Sequence, residues 1–112
     1  MSQPSVSVVI PAYNAQSTIV RALQSVADQT FQATEVIVID DASSDSTIET
    51  VSEYSKNSNI SLRLLLSDRN TGPGSARNRG WDSSHCDYIA FLDADDVWHP
   101  RKLEIQDRKS VV

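Results

Sequence analysis

Four short apolar runs divide the chain, and the apolar residues between them fall at helical spacing. Ser5 to Ile10 (SVSVVI) is β-branched and stops at Pro11, and Glu35 to Ile39 (EVIVI) ends in Asp40-Asp41. Ile60 to Leu66 and Tyr88 to Leu92 (YIAFL) are the other two. Apolar runs of this length, bounded by turn residues, predict buried strands. Ile19, Val20, Leu23, Val26 and Ala27 form one stripe of a helix over Ser17 to Ala27. Ser46-Thr47-Ile48-Glu49 has capping-box spacing for a second helix, with Ile48, Val51 and Tyr54 on its inner face. Asn70 to Gly74 reads as a turn, since two glycines flank a proline, and a third helix is expected from about Ser75 to Ser83. Pro100 suits the first turn of a further, charged helix.

The resulting order is strand, helix, strand, helix, strand, helix, strand. Apolar strands joined by helical crossovers predict an α/β fold, a mostly parallel sheet of about four strands with helices on both faces. No repeat, low-complexity tract or linker interrupts the 112 residues, which fit one domain.

Composition narrows the function. Hydrophobic residues make up 39% and charged residues 22%, an ordinary globular balance. The net charge of −5, from 10 Lys+Arg against 15 Asp+Glu, argues against nucleic acid as a partner. Cys86 is the single cysteine, so no intrachain disulfide forms, and with only His85 and His99 beside it no zinc-ligand spacing exists. Met1-Ser2-Gln3-Pro4 lacks the basic and apolar regions of a secretory signal. The apolar runs of about 5 to 6 residues fall far short of the ~20 that cross a bilayer. The expected location is cytoplasmic, with peripheral attachment to the cytoplasmic face of a membrane left open.

In open α/β sheets ligands sit beyond the carboxyl ends of the strands. Here those ends carry Pro11-Ala12-Tyr13-Asn14, Asp40-Asp41, Asp68-Arg69-Asn70 and Asp93-Ala94-Asp95-Asp96. If the chain is still extended there, Asp93 and Asp95 project from the same side, while Asp96 points away, to cap the next helix or orient its neighbours. Two hard oxygens on a strand end suit Mg²⁺ or Mn²⁺, with substrate phosphates completing the shell. A solvated acidic turn acting as a helix cap is the competing reading. Asp40-Asp41 reads either as a turn and cap or as a contact to a base or ribose, and Tyr13 either packs or stacks on a base. The segment Asp68 to Arg77 can bring backbone and guanidinium groups to a phosphate, yet it fits neither a Walker A loop nor a dinucleotide fingerprint. Trp81 and Trp98 read as core or edge packing.

Taken in order, VSVVIPAYN (Val6 to Asn14), VIVIDDASSDST (Val36 to Thr47), NTGPGSARNRG (Asn70 to Gly80) and YIAFLDADDVW (Tyr88 to Trp98) resemble the N-terminal half of a family 2 glycosyltransferase with the Rossmann-like GT-A fold. Ser25 to Thr30 resembles the family's end of the first helix. The resemblance covers nearly the whole chain, residues 1–112, and implies a nucleotide-sugar-binding role. Pro11, Ala12 and Tyr13 would line the base pocket, and Asp41 would contact the base, usually uracil. Arg69, Asn70 and Arg77 would approach the ribose and diphosphate. Asp93, Ala94 and Asp95 would be the D-x-D signature, with Asp95 the firmer metal ligand and Asp93 nearer the ribose. The implied cofactor is Mn²⁺ or Mg²⁺. The implied reaction moves a sugar from a nucleoside diphosphate, UDP above all, to a hydroxyl of a carbohydrate or lipid-linked acceptor, with inversion.

In the family the general base and acceptor site come from the later half of the domain, so no catalytic base is assigned here. The expectation is a shortened chain that holds donor and is open to self-association through exposed sheet edge or apolar surface. A non-catalytic nucleotide-binding module, or an inert fragment, is the first alternative. A haloacid-dehalogenase-type phosphohydrolase is the second, since Asp93-Ala94-Asp95-Asp96-Val97 fits its D-x-D-x-[TV] pattern. That signature belongs on the first strand of its fold, whereas here it follows the fourth.

Overall fold

A computed structural model of the chain describes residues 4–104. Its core is a four-stranded sheet in the order β3-β2-β1-β4, formed by β1 (Val6–Ala12), β2 (Glu35–Asp40), β3 (Leu62–Leu66) and β4 (Tyr88–Phe91). Every pairing is parallel: Val9 lies beside Ile37 and Phe91, and Val38 beside Leu64. The two central strands are the two most continuously apolar runs. All of β1 is buried, and so is β2 from Val36 to Asp40. The edge strands β3 and β4 are only partly covered.

The side-chain alternation of the strands divides the core into two layers. Val6, Val8, Ile10, Val36 and Val38 face α1 (Ile19–Ala27) and α2 (Thr47–Lys56), meeting Ile19, Leu23, Val26 and Val51. Val9, Ile37 and Ile39 face the other way, onto Ala76 of α3 (Pro73–Ser83). Helices therefore cover both faces, as the pattern predicted. Gly80 lets α3 approach so closely that a Cβ there would collide with Val9 Cγ1 and stand 2.9 Å from Ile39 Cδ1. Among the described residues no helix is long and apolar enough to cross a membrane.

Several boundaries differ from the sequence reading, each for a local reason. Residues 16–18 form a turn, so α1 starts at Ile19 rather than Ser17. β3 starts at Leu62 rather than Ile60, where pairing with β2 begins. The capping box at Ser46 does not form: Ser46 makes no side-chain cap bond, and the Asp45 carboxylate accepts the Thr47 N–H and hydroxyl instead. α3 begins at Pro73 rather than Ser75, because Gly72 at φ +94° turns the chain and Pro73 then takes a first-turn position that needs no N–H partner. After Pro100 the helical backbone starts at Lys102, and the rest of that predicted helix lies outside the described residues.

Candidate functional site

The carboxyl ends of all four strands open on one edge of the sheet, where the loops interlock through short polar side chains. At the end of β1, Pro11 and Ala12 are buried while Tyr13, just beyond it, is 51% exposed, its ring free of the core packing that a tyrosine there could have supplied. Asn14 follows at φ +49°, a left-handed conformation that asparagine tolerates better than most residues. Its Oδ1 accepts N–H bonds from Ser44 (2.8 Å) and Asp45 (3.3 Å), and Ala15 N–H donates to the buried Thr47 hydroxyl at 2.9 Å. The β1–α1 and β2–α2 loops are thus one unit. Nothing in the residue pattern singled out Asn14 or Thr47 for this. Asn14 is a loop residue and Thr47 opens α2, and their partners lie about thirty positions away.

The two acidic residues at the end of β2 have separate tasks. Asp40 closes a local turn, accepting Ser43 N–H (3.0 Å) and its hydroxyl (2.6 Å). Asp41 instead crosses to the β3–α3 loop. Its Oδ1 accepts Thr71 N–H (3.0 Å) and Thr71 Oγ1–H (3.1 Å), and its Oδ2 accepts Gly72 N–H (2.8 Å). Burial pushes the Asp41 carboxyl up, but the Thr71 and Gly72 N–H groups and the Thr71 hydroxyl outweigh it and hold the group below its ordinary value. Ala42, next in sequence, sits at φ +63°, a conformation costly for alanine and concentrated at this edge of the molecule. Arg69 and Asn70 are exposed in the loop that Asp41 tethers.

The acidic turn lies beyond β4. Extended geometry, predicted to carry Asp93 and Asp95 on one side, does not persist this far. Residues 94–95 form a turn closed by Asp96 N–H donating to Asp93 O at 3.0 Å. The turn also overturns the expectation that Asp96 points away. Asp93, Asp95 and Asp96 are exposed and converge, with one carboxylate oxygen from each lying within 4.8 Å of the others. Ala94 between them is 8% exposed and packs inward, so the carboxylates are turned out. Arg77 of α3 reaches Asp93 Oδ1 at 3.3 Å. Arg77, Asp93 and Asp96 line an open cleft of about 490 Å³ together with Phe91, Leu92, Val97, Trp98 and Lys102.

Chemically, the turn offers three hard oxygens, open to solvent on one side. That donor set fits Mg²⁺ or Mn²⁺, which retain several non-protein ligands. Three ionised carboxylates at this separation repel by about 0.9 kcal/mol per pair even in a water-like dielectric. One guanidinium on Asp93 offsets part of that repulsion, and a divalent cation would offset all of it. Asp93, Ala94, Asp95 and Arg77 are thus brought together, as are Asp41 and the Thr71-Gly72 backbone. Trp81, 59% exposed, stacks on Phe91 with ring centroids 6.4 Å apart, and Trp98 packs against the α1-side core under the Lys102 ammonium at 5.9 Å. Both tryptophans fill packing roles, as their sequence positions suggested.

Comparison with known proteins gives the family and the fold. The chain is 41% identical over 105 residues to the amylovoran biosynthesis glycosyltransferase AmsB of Erwinia amylovora, covering 93% of this chain and 35% of that protein. Its fold matches S. aureus TarS in complex with UDP at a TM-score of 0.84 and 32% identity, over 93% of this chain and 31% of that one. It also matches the mannosyltransferase PcManGT of Pyrobaculum calidifontis, in complex with GDP-Man and Mn²⁺, at 0.81 and 27% identity, over 88% of this chain and 29% of that one. The chain thus spans about a third of the length of these relatives. The glycosyl transferase family 2 model matches residues 7–106, which takes in every strand end described above, and the chain belongs to that family.

Proposed function

We propose that this domain binds a nucleoside-diphosphate sugar, with UDP as the nucleotide, and supplies the donor-binding half of a metal-dependent, inverting sugar transfer to an acceptor hydroxyl. The observation that carries this reading is the convergence of Asp93, Asp95 and Asp96 beside Arg77 at the carboxyl edge of the sheet. The UDP in TarS and the GDP-Man and Mn²⁺ in PcManGT support it, since both relatives share this fold.

In this reading Pro11 and Ala12 form the floor of the base pocket, and the exposed Tyr13 ring offers a stacking face. Asp41 has one lone-pair position left on Oδ2 after its loop bonds, and in this reading it accepts a base N–H. Arg69, Asn70 and Arg77 donate to ribose and diphosphate oxygens, with Arg77 exchanging Asp93 for phosphate. Asp95 is the main metal ligand, Asp93 lies nearer the ribose, and Asp96 joins them. Bound Mn²⁺ or Mg²⁺ would neutralise the charge that builds on the diphosphate as the sugar leaves. Inversion also needs a general base to take the acceptor proton. We assign that role to none of residues 1–112, and place the base and the acceptor site in polypeptide outside them. The acceptor is a carbohydrate or lipid-linked hydroxyl, and the site of action the cytoplasm or the cytoplasmic face of a membrane.

The test is calorimetric titration with UDP and GDP, with and without Mn²⁺, of the wild-type chain and Asp95→Ala. Metal-dependent UDP binding that disappears in the variant is expected, while unchanged binding in Asp95→Ala would sink the metal role. Assaying donor hydrolysis and transfer by this chain and by a longer one separates a binding module from a complete enzyme.

A further inference from the structure

We propose that Gln29 is a positioning residue for the acidic turn, a reading that rests on the metal-binding role proposed above. Gln29 lies just past α1, is 2% exposed, and spends its whole carboxamide on the two segments it joins. Its Nε2 donates to Ser25 O at the end of α1 (3.1 Å) and to His99 O (2.7 Å), and its Oε1 accepts Leu103 N–H (3.0 Å). Next to it, Thr30 N–H donates to Pro100 O at 2.9 Å, and the Thr30 hydroxyl to Glu104 at 2.7 Å. Together they clasp residues 99–104 to the rigid end of a helix whose Leu23 and Val26 are core residues.

The acidic turn lies between two anchors. Upstream, Leu92 N–H donates to Val9 O at 3.0 Å and ties the turn to the sheet. Downstream, Asp96 and Val97 are exposed, and the chain is next held at Trp98, by packing, and at His99, by Gln29. Mutual repulsion among the three carboxylates favours opening the turn, and the clasp opposes it by fixing the downstream end. Releasing it lets the carboxylates spread, so a cation must first draw them together again and binds more weakly. The base pocket, built on β1 and β2, is untouched.

The test uses the full chain as wild type, Gln29→Met, which keeps the volume and removes all three bonds, and Thr30→Val, an exposed position that keeps the backbone bond. Amide exchange is read at Asp96, Leu103 and the β2 strand, and Mn²⁺ affinity by titration of the metal alone. In Gln29→Met, Asp96 and Leu103 are expected to exchange faster while β2 keeps its protection, and Mn²⁺ affinity to fall about tenfold. Thr30→Val is expected to move both readouts the same way by a smaller factor, and it decides the matter if Gln29→Met does not fold. Mn²⁺ affinity within about twofold of wild type in a folded variant with a loosened Asp96 amide overturns the positioning role. A wild-type chain that takes up no Mn²⁺ overturns the donor-site reading itself and this inference with it, a failure seen before any variant is compared.

Discussion

Asp41→Asn separates a carboxylate that merely follows a strand from one that holds the β3–α3 loop in place. The wild-type carboxylate accepts three hydrogen bonds from Thr71 and Gly72, two of them from backbone N–H groups of the turn that starts α3. An asparagine keeps one oxygen, and its amide nitrogen, a donor, must face one of those N–H groups. At least one bond is lost, at about 1.5–3 kcal/mol for a bond to a charged acceptor, and the others weaken as the charge goes. The expected loss is about 2–4 kcal/mol, a large share of the roughly 5–15 kcal/mol that holds a domain together. The sign of the pH dependence follows from the lowered folded-state value of Asp41. Its contribution is fully present above its ordinary value of 3.8 and is lost as pH falls through the lower folded-state value. The gap between wild type and variant should therefore be constant through neutral pH and narrow in acid. Urea denaturation of both proteins from roughly pH 7 to roughly pH 3 measures it, and the comparison cancels every other carboxylate. A gap under about 0.5 kcal/mol at neutral pH, or one that does not narrow in acid, would refute the assignment.

Two further substitutions probe the packing and the charge at the site. Gly80→Ala places a Cβ inside contact distance of Val9 and Ile39, so α3 must lift from the sheet. A loss of about 1–3 kcal/mol in denaturant titration is expected, larger than the Gly-to-Ala gain in an ordinary helix. Arg77→Gln should cost under about 1 kcal/mol, since the pair with Asp93 is solvent-exposed. It should nevertheless raise affinity for Mn²⁺ alone and lower it for UDP, because the guanidinium occupies Asp93 and, in the proposed role, donates to the diphosphate. Loss of Mn²⁺ affinity in that variant would show that Arg77 holds the turn together instead.

The sequence by itself determined the fold class, the helical crossovers and the edge of the sheet where the acidic strand ends gather. The reason is that burial on two faces demands unbroken apolar runs such as Val8 to Ile10 and Val36 to Ile39, and such runs are readable one residue at a time. The D-x-D segment was legible for the same reason, as charge placed abruptly after YIAFL. Tertiary structure alone decided that Asp96 joins Asp93 and Asp95, because a turn replaces the extended chain on which strand periodicity rests. It alone separated Asp40, which closes a local turn, from Asp41, which crosses to Thr71 and Gly72. The clasp through Gln29 was equally hidden, since its partners at His99 and Leu103 lie 70 and 74 positions away. A hydrogen bond leaves a mark on the residue that donates or accepts it but none on the distance between partners, and only the folded backbone supplies that distance.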